Sequence, residues 1–298
     1  MSLQAPMRCS ALAEHLDEPM IGSVEQRVRW LLVEDRSAWG QSAVADVLGS
    51  DLAAAIKARG MQALLIRRRE GDPAADAVRR AILVDTDLGV MAVRTVTDLA
   101  ELEPLLDASV ADFGASLRDP IFLVCTNGKR DACCALLGRA LFSALAPDHG
   151  ERVWECTHLG GHRFAGNLVC LPHGLVYGRV GPADGPRLAD AYLDGRLDPL
   201  LLRGRVAWPA PAQVAEQTLR QRLGLSGVDN LTLQAADIRD SEAVVTLVTR
   251  DGRAHRFGLR AERVAPARPI SCRTNKVEEP FHWRIVRALD PRHGSTDR

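Results

Sequence analysis

The chain has 298 residues, of which 46% are hydrophobic and 26% are charged. This length allows one large domain or two to three smaller ones, and the composition is that of an ordinary soluble globular protein. Lys plus Arg and Asp plus Glu number 38 each, so the net charge gives no indication of binding to nucleic acid or to an anionic membrane.

No stretch approaches the roughly 20 apolar residues that cross a bilayer, and the first residues lack a basic segment followed by an apolar run. We therefore expect a cytoplasmic protein without membrane or nucleic-acid partners. In that reducing compartment, clustered cysteines more often bind metal or react than form disulfides. Seven cysteines are present, at positions 9, 125, 133, 134, 156, 170 and 272.

Residues 1–112 are predicted to form an N-terminal α/β region. Residues 1–25 look irregular, and "RWLLVED" (29–35) has the short apolar run of a buried strand. "SDLAAAIKARG" (50–60) has the pattern of a helix that ends at a glycine. Three more strand-like runs and a helix at 97–106 follow, and this mixture favours the α/β class.

Residues 113–200 are predicted to form a second α/β domain. "PIFLVCTNG" is a strand that runs into a turn, and Asp131 is well placed to cap the helix "DACCALLGRALFSALA". Strands flank the stretch "HLGGH" (158–162), and a helix is expected at 186–195. Residues 201–298 are predicted to form a small region of one helix and antiparallel strands, with a hairpin about 251–252. We detect no internal sequence repeat.

The stretch "HLGGH" contains His158 and His162, four residues apart. Zinc proteases use this spacing on a helix, but their motif has a glutamate after the first histidine, where this chain has Leu159. Two adjacent glycines inside a helix would also cost about 1 kcal/mol each. The stretch is therefore predicted to be a tight turn that lets both imidazoles converge.

The stretch "CTNGKRDACC" places Cys125 at the end of a strand and Cys133 and Cys134 at the start of a helix. The helix dipole and free N–H groups favour a thiolate there. Two thiols and the two imidazoles would form a Cys2His2 set, which suits zinc or an iron–sulfur cluster. The wide spacing between the cysteines fits a two-iron core better than one zinc ion, and either Cys133 or Cys134 could be the second sulfur ligand.

The segment "CTNGKRDACCALLGRAL…VWECTHLGGHRFAGNLVCLPHGLVYGRV" resembles the sucrase/ferredoxin-like family. The similarity extends more loosely to "RCSA" and "RWLLVE…WG" near the N-terminus and to "SCRTNKVEEPFHW" near the C-terminus. The resemblance implies a thioredoxin-like ferredoxin domain. It also implies a [2Fe-2S] cluster bound through C-x8-C and H-x3-H motifs, which correspond here to Cys125, Cys134, His158 and His162.

This ligand set implies a particular redox behaviour. An oxidised [2Fe-2S] core carries charge +2, so two thiolates and two neutral imidazoles leave a neutral site, which accepts an electron more readily than a four-thiolate site. The outer nitrogen of each imidazole can exchange a proton. We therefore expect a one-electron carrier with proton-coupled behaviour. No G-x-G-x-x-G fingerprint is present, so a separate redox partner protein is expected to supply or accept the electrons.

Other functions are compatible with parts of the pattern. A thiol–disulfide oxidoreductase on a thioredoxin-like fold is one alternative, although such enzymes use Cys-x-x-Cys and would leave the histidines without a role. A structural Cys2His2 zinc module of an interaction protein is another. A cysteine phosphatase is unlike this chain, because only four residues separate Cys125 from Arg130. We expect Cys156 and Cys170 to pack in the core, and Cys9 and Cys272, in loop-like segments, to carry no chemistry.

Overall fold

A computed structural model of the chain describes residues 7–68, 78–273 and 276–289. The parts of the predicted terminal regions at 1–6 and 290–298 lie outside these residues. The helices are α1 Cys9–His15, α2 Ala43–Leu48, α3 Ser50–Ala58, α4 Val110–Phe113, α5 Ala132–His149, α6 Asp184–Leu193 and α7 Ala210–Leu223. The strands are β1 Arg29–Glu34, β2 Gln62–Arg67, β3 Arg79–Asp85, β4 Val90–Val96, β5 Ala115–Ser116, β6 Ile121–Cys125, β7 Val153–Cys156, β8 Leu168–Leu171, β9 Leu175–Tyr177, β10 Leu202–Arg205, β11 Leu231–Arg239, β12 Glu242–Thr249, β13 Ala254–Arg263, β14 Arg268–Pro269, β15 Val277–Glu278 and β16 Phe281–Ala288.

The fold belongs to the α/β class, as the sequence predicts. Ten strands form one mixed sheet in the order β10-β9-β8-β6-β7-β2-β1-β3-β4-β5. Strands β6, β7 and β8 are buried along their whole length, and the sequence of β6 is "IFLVC". Such continuous apolar strands are stable where other elements cover both faces of a sheet.

The second half of the sheet, β6 to β9, agrees with the thioredoxin-like arrangement that the family resemblance implies. Strands β6 and β7 are parallel and are connected by α5, while β8 pairs antiparallel with β6 and β9 antiparallel with β8. The spatial order is therefore β7-β6-β8-β9, and α6 follows β9 along the chain.

The first half of the sheet repeats this topology. Strands β1 and β2 are parallel and are connected by α2 and α3, while β3 pairs antiparallel with β1 and β4 with β3. The order β2-β1-β3-β4 matches that of the second half. The two halves share their pattern of strand pairing and burial but not their residue identities. For this reason no internal repeat is visible in the sequence.

The two halves join through antiparallel pairing of β2 and β7, with Ile66 opposite Cys156 and Arg67 opposite Glu155. Arg67 Nε also lies 2.7 Å from a carboxylate oxygen of Glu155, and Leu65 N donates to Thr157 Oγ1 at 3.0 Å. Strands from both predicted regions thus share one sheet, and the division at residues 112 and 113 stays a prediction. This junction places the loop after β7 at the middle of the molecule.

The C-terminal region contains the predicted helix and antiparallel strands. Strands β11, β12, β13 and β16 form a separate four-stranded sheet, and β12 and β13 form the expected hairpin, with Gly252 at φ 84° in its turn. The sequence assigns strand β10 to this C-terminal region, which is predicted to begin at residue 201. The strand instead pairs with β9 at the edge of the large sheet.

One local expectation is wrong, and in another the helix is present but differs in type. The irregular segment predicted for residues 1–25 contains helix α1, which packs against the short 3-10 helix at 162–164. The helix expected at 97–106 is a 3-10 helix over Leu99–Leu105, which begins with a capping box of Asp98 and Glu101 and contains Pro104. In the first case, packing against the rest of the protein stabilises a helix that the local sequence pattern does not indicate. In the second case, the proline disfavours a regular α-helix.

Candidate metal centre

The sulfur side of the candidate centre is built where β6 meets α5. Asp131 caps α5 as predicted, because its Oδ1 accepts from Cys133 N at 2.9 Å. The helix approaches the end of β6 so closely that a Cβ on Gly138 would lie 2.0 Å from Cys125 O. A glycine is needed at this contact, which brings Cys134 close enough to Cys125 for each thiol to shift the pKa of the other.

The histidine side is the turn that the sequence predicts, and a helix over 158–162 is absent. Gly160 and Gly161 have φ of 83° and 68°, a region that glycine occupies without strain, and a 3-10 helix begins only at His162. The rings of His158 and His162 stack with centroids 4.1 Å apart. Both imidazoles therefore point in one direction.

The two sides meet. Cys134 Sγ lies 3.7 Å from His162 Nδ1, and His158 is close enough to the Cys125 thiol to lower its pKa. Both cysteines are buried, whereas His158 and His162 are partly accessible. We refer to these side chains as the Cys2His2 group: Cys125, Cys134, His158 and His162.

Mutual hydrogen bonding and burial set the protonation of this group. The hydrogen bond from the Cys134 thiol holds the pKa of Cys125 well below its ordinary value, and the same bond raises the pKa of Cys134. Burial, followed by the neighbouring His158, lowers the pKa of His162 to about 4. A thiolate and a neutral imidazole are the forms that bind metal ions.

A buried arginine supports the histidine turn, and the sequence analysis did not identify it. Arg203 Nη1 donates to Asn167 Oδ1 at 2.7 Å and to Gly160 O at 3.2 Å. Asn167 Nδ2 in turn donates to Gly161 O at 3.2 Å, and a Cβ on Gly161 would lie 2.2 Å from Arg203 Nη2. Arg203 lies in β10, far along the chain, so no local signal identifies it.

Arg203 is 2% exposed, and the atoms that accept its hydrogen bonds are neutral oxygens of Ser23, Gly160 and Asn167. Burial, followed by the charge of Arg163, lowers the pKa of its guanidinium from 12.5 to about 9. The two nearby thiols, Cys134 and Cys125, act in the opposite direction. A buried cation thus stands beside the Cys2His2 group.

Cys133 faces a different set of side chains. Its Sγ lies 3.7 Å from Cys9 Sγ and 3.4 Å from Cys272 Sγ, and Cys9 and Cys272 are 3.4 Å apart. Asp131 completes what we call the cysteine–aspartate cluster: Cys9, Asp131, Cys133 and Cys272. The expectation that Cys9 lies in a loop is wrong, because it begins α1.

The remaining cysteines are in the core. Cys156 is fully buried opposite Cys125 in the parallel β6–β7 pair, and burial raises its pKa well above the ordinary value. Cys170 is fully buried in β8, and burial raises its pKa as well. Both thiols are therefore protonated and apolar in character, as expected of cysteines that pack in a core.

A cavity of about 410 Å³ opens beside the histidine turn. His158, Thr157 and Asn127 form part of its wall, and Arg27, Lys57 and Arg130 also line it. One side of the Cys2His2 group thus borders an open, basic cavity. None of the described helices is both long and apolar enough to cross a bilayer.

Comparison with known proteins agrees with the resemblance seen in the sequence. A family model described as sucrase/ferredoxin-like matches residues 20–204, which is more than half of the chain. No solved structure matches the chain.

The curated relatives are fungal proteins called altered inheritance of mitochondria protein 32. The protein of Meyerozyma guilliermondii is 32% identical over 87 residues, 26% of this chain and 31% of the relative. That of Eremothecium gossypii is 32% identical over 103 residues, 30% and 33% of the two chains. That of Candida glabrata is 25% identical over 142 residues, 46% and 43% of the two chains. The chain thus spans less than half the length of these relatives.

Proposed function

Because this chain belongs to the sucrase/ferredoxin-like family, we propose that it is a one-electron carrier that binds a [2Fe-2S] cluster through the Cys2His2 group. The observation that carries the proposal is the meeting of two thiols and two imidazoles at one end of the sheet. Cys134 and His162, which the sequence separates by a helix and a strand, lie 3.7 Å apart between sulfur and nitrogen.

The chemistry of these residues fits the proposed cluster. Thiolate sulfur and imidazole nitrogen are the ligands of mixed-ligand [2Fe-2S] centres, in which the cluster supplies one-electron redox chemistry at a raised potential. The buried Cys125 and Cys134 are suited to hold the cluster away from water. His158 and His162 are more accessible, so their outer nitrogens can exchange protons with solvent.

The surroundings of the group support electron exchange with another protein. His158 lies in the wall of the basic cavity, so this imidazole gives the group an edge that a partner protein can approach. Arg27, Lys57 and Arg130 give that opening positive charge, which favours a partner with an acidic contact surface. We propose that such a protein is the redox partner, without a role for nucleic acid or membrane.

The proposed compartment is the cytoplasm. The names of the fungal relatives refer to mitochondria. Fractionation of cells that produce the native chain, followed by immunodetection, would separate these locations.

The test of the function is spectroscopic. We expect anaerobically purified protein to contain two irons and two sulfides per chain, to show visible charge-transfer bands and to give a rhombic signal when reduced. Cys125→Ser or Cys134→Ser should abolish these features, whereas Cys170→Ala, which removes a buried thiol outside the group, should retain them. Colourless protein with zinc bound through the Cys2His2 group would instead indicate the structural module. Colourless, metal-free protein with a reactive Cys134 would indicate thiol chemistry.

A further inference from the structure

The cysteine–aspartate cluster joins three distant parts of the chain. Cys9 is in α1, Cys133 is in the first turn of α5, and Cys272 lies between β14 and β15. Three thiols that meet without forming a disulfide are unusual, because each sulfur has only weak hydrogen-bonding capacity to satisfy the others. We propose that this cluster is a second metal site, which binds a single zinc ion through the three thiolates and a carboxylate oxygen of Asp131.

The distances fit one tetrahedral ion. With zinc–sulfur bonds of about 2.3 Å and tetrahedral angles, two sulfur ligands lie about 3.8 Å apart. The three Sγ–Sγ distances are 3.7, 3.4 and 3.4 Å, and one atom from each of the four residues lies within 4.8 Å of the others. Sulfur ligands on different irons of a cluster would be farther apart, since bridging sulfides separate the irons.

The carboxylate of Asp131 is held in place and keeps capacity for an ion. Oδ1 accepts from Cys133 N at 2.9 Å, and Oδ2 accepts from Ser271 Oγ at 2.9 Å and from Cys272 N at 3.0 Å. A carboxylate has about four lone-pair positions, so three hydrogen bonds leave one for a metal ion. Such hydrogen bonds orient a ligating carboxylate.

Hydrogen bonds also reach the sulfurs. Ser10 Oγ donates to Cys133 Sγ at 3.3 Å, and Cys9 N donates to Cys272 Sγ at 3.3 Å. Donors of this kind stabilise the thiolate form that zinc requires. Cys9, Cys133 and Asp131 are buried whereas Cys272 is exposed, so the site is shielded from water but can be reached from one side.

The ion would hold both terminal segments against α5. A buried ion pair also links these two segments. Arg268 Nε donates to Oε2 of Glu18, which follows α1, at 2.9 Å, and both side chains are buried. Zinc would thus stabilise the helix start that carries Cys134, without taking part in electron transfer.

The test uses the whole 298-residue chain with Cys125→Ser and Cys134→Ser, in which the thiols of the Cys2His2 group are absent, so the result is independent of the proposed function. We expect this protein, dialysed against zinc and then buffer, to retain about one zinc per chain by elemental analysis. Cobalt substitution should give intense near-ultraviolet sulfur-to-cobalt bands. Adding Cys272→Ser should reduce both readouts to near zero, whereas adding Cys170→Ala should leave them unchanged.

Cys272 is the residue of choice because it is exposed, so its substitution disturbs the core least, and circular dichroism checks that the variant is folded. Asp131→Asn tests the fourth ligand and should weaken zinc binding while the sulfur bands remain. The proposal would be overturned by equal zinc retention with and without Cys272. It would also be overturned by an intact mass two daltons low that shows a disulfide between Cys9 and Cys272 in the isolated protein.

Discussion

Cys133 and Cys134 are adjacent in the chain, yet their thiols belong to different groups. Cys134 Sγ lies 3.7 Å from His162 Nδ1, while Cys133 Sγ lies 3.4 Å from Cys272 Sγ. Consecutive residues of a helix project about 100° apart, so one turn can serve two separate groups. The sequence allowed either of these adjacent cysteines to be the second sulfur ligand of the Cys2His2 group. In the structure the two side chains have different surroundings.

This difference predicts opposite behaviour for two conservative variants. We expect Cys134→Ser to lose the visible absorption of the proposed cluster, because it removes a sulfur of the Cys2His2 group. Cys133→Ser should keep the absorption and lose zinc instead. Absorption spectra with iron and zinc analysis of both variants check this, and loss of colour in Cys133→Ser alone would reverse the assignment.

The reduction potential is expected to depend on pH. Deprotonation of an imidazole ligand stabilises the oxidised state, so the potential should fall as the pH rises, with a slope that approaches about 59 mV per pH unit for one proton per electron. Potentiometry between pH 6 and 10 measures this slope. His158→Cys is the matched variant and should show a lower potential with a flatter slope. A pH-independent potential in the unmodified protein would contradict proton coupling.

Arg203 is expected to support both stability and redox potential. Arg203→Gln would remove the guanidinium that donates to both Gly160 O and Asn167 Oδ1 in the buried turn, so the free energy of unfolding should fall by about 2 kcal/mol or more. Loss of a positive charge beside the group should also lower the potential, because the reduced state carries the extra negative charge. Denaturant unfolding and potentiometry measure the two effects. Arg139→Gln, at an exposed position of α5, should change neither measurably.

The close contact at Gly138 predicts a steric effect. In Gly138→Ala the new methyl carbon would meet Cys125 O at 2.0 Å, so α5 must shift away from β6. We expect a loss of about 1–3 kcal/mol of stability together with reduced iron content. Leu136→Ala, an exposed position of the same helix, is the control. Normal iron content and stability in Gly138→Ala would contradict the geometry of the sulfur side.

His173 is expected to contribute to the pH dependence of stability. Burial, followed by the charge of Arg205, lowers its pKa below 6.5, and Tyr192 Oη and Asp229 also face its ring. As the pH falls below about 6.5, the unfolded chain takes up a proton that the folded protein does not, so the folded state loses stability until the folded pKa is passed.

Urea unfolding at pH 7.5 and pH 5.5 measures this effect. His173→Gln should lose less stability between these values than the unmodified protein, and His15→Gln, which removes an exposed histidine, should behave as the unmodified protein does. An unchanged slope in His173→Gln would show that other groups account for the acid dependence.

The sequence by itself determined the local elements of the centre. The strand that ends at Cys125, the cap at Asp131 and the glycine turn between His158 and His162 all follow from hydrophobic spacing and turn residues, as does the hairpin at 251–252 outside the centre. These signals are local because they arise from backbone conformation and from the burial of one face of an element.

Only the tertiary structure decided which elements meet. The pairing of β2 with β7, the repeated topology of the two sheet halves, and the approach of Cys9 and Cys272 to Cys133 involve residues far apart in the chain. The burial of Arg203 behind the glycine turn is of the same kind. Such contacts are selected by the packing of whole elements, which leaves no pattern in any short stretch of sequence.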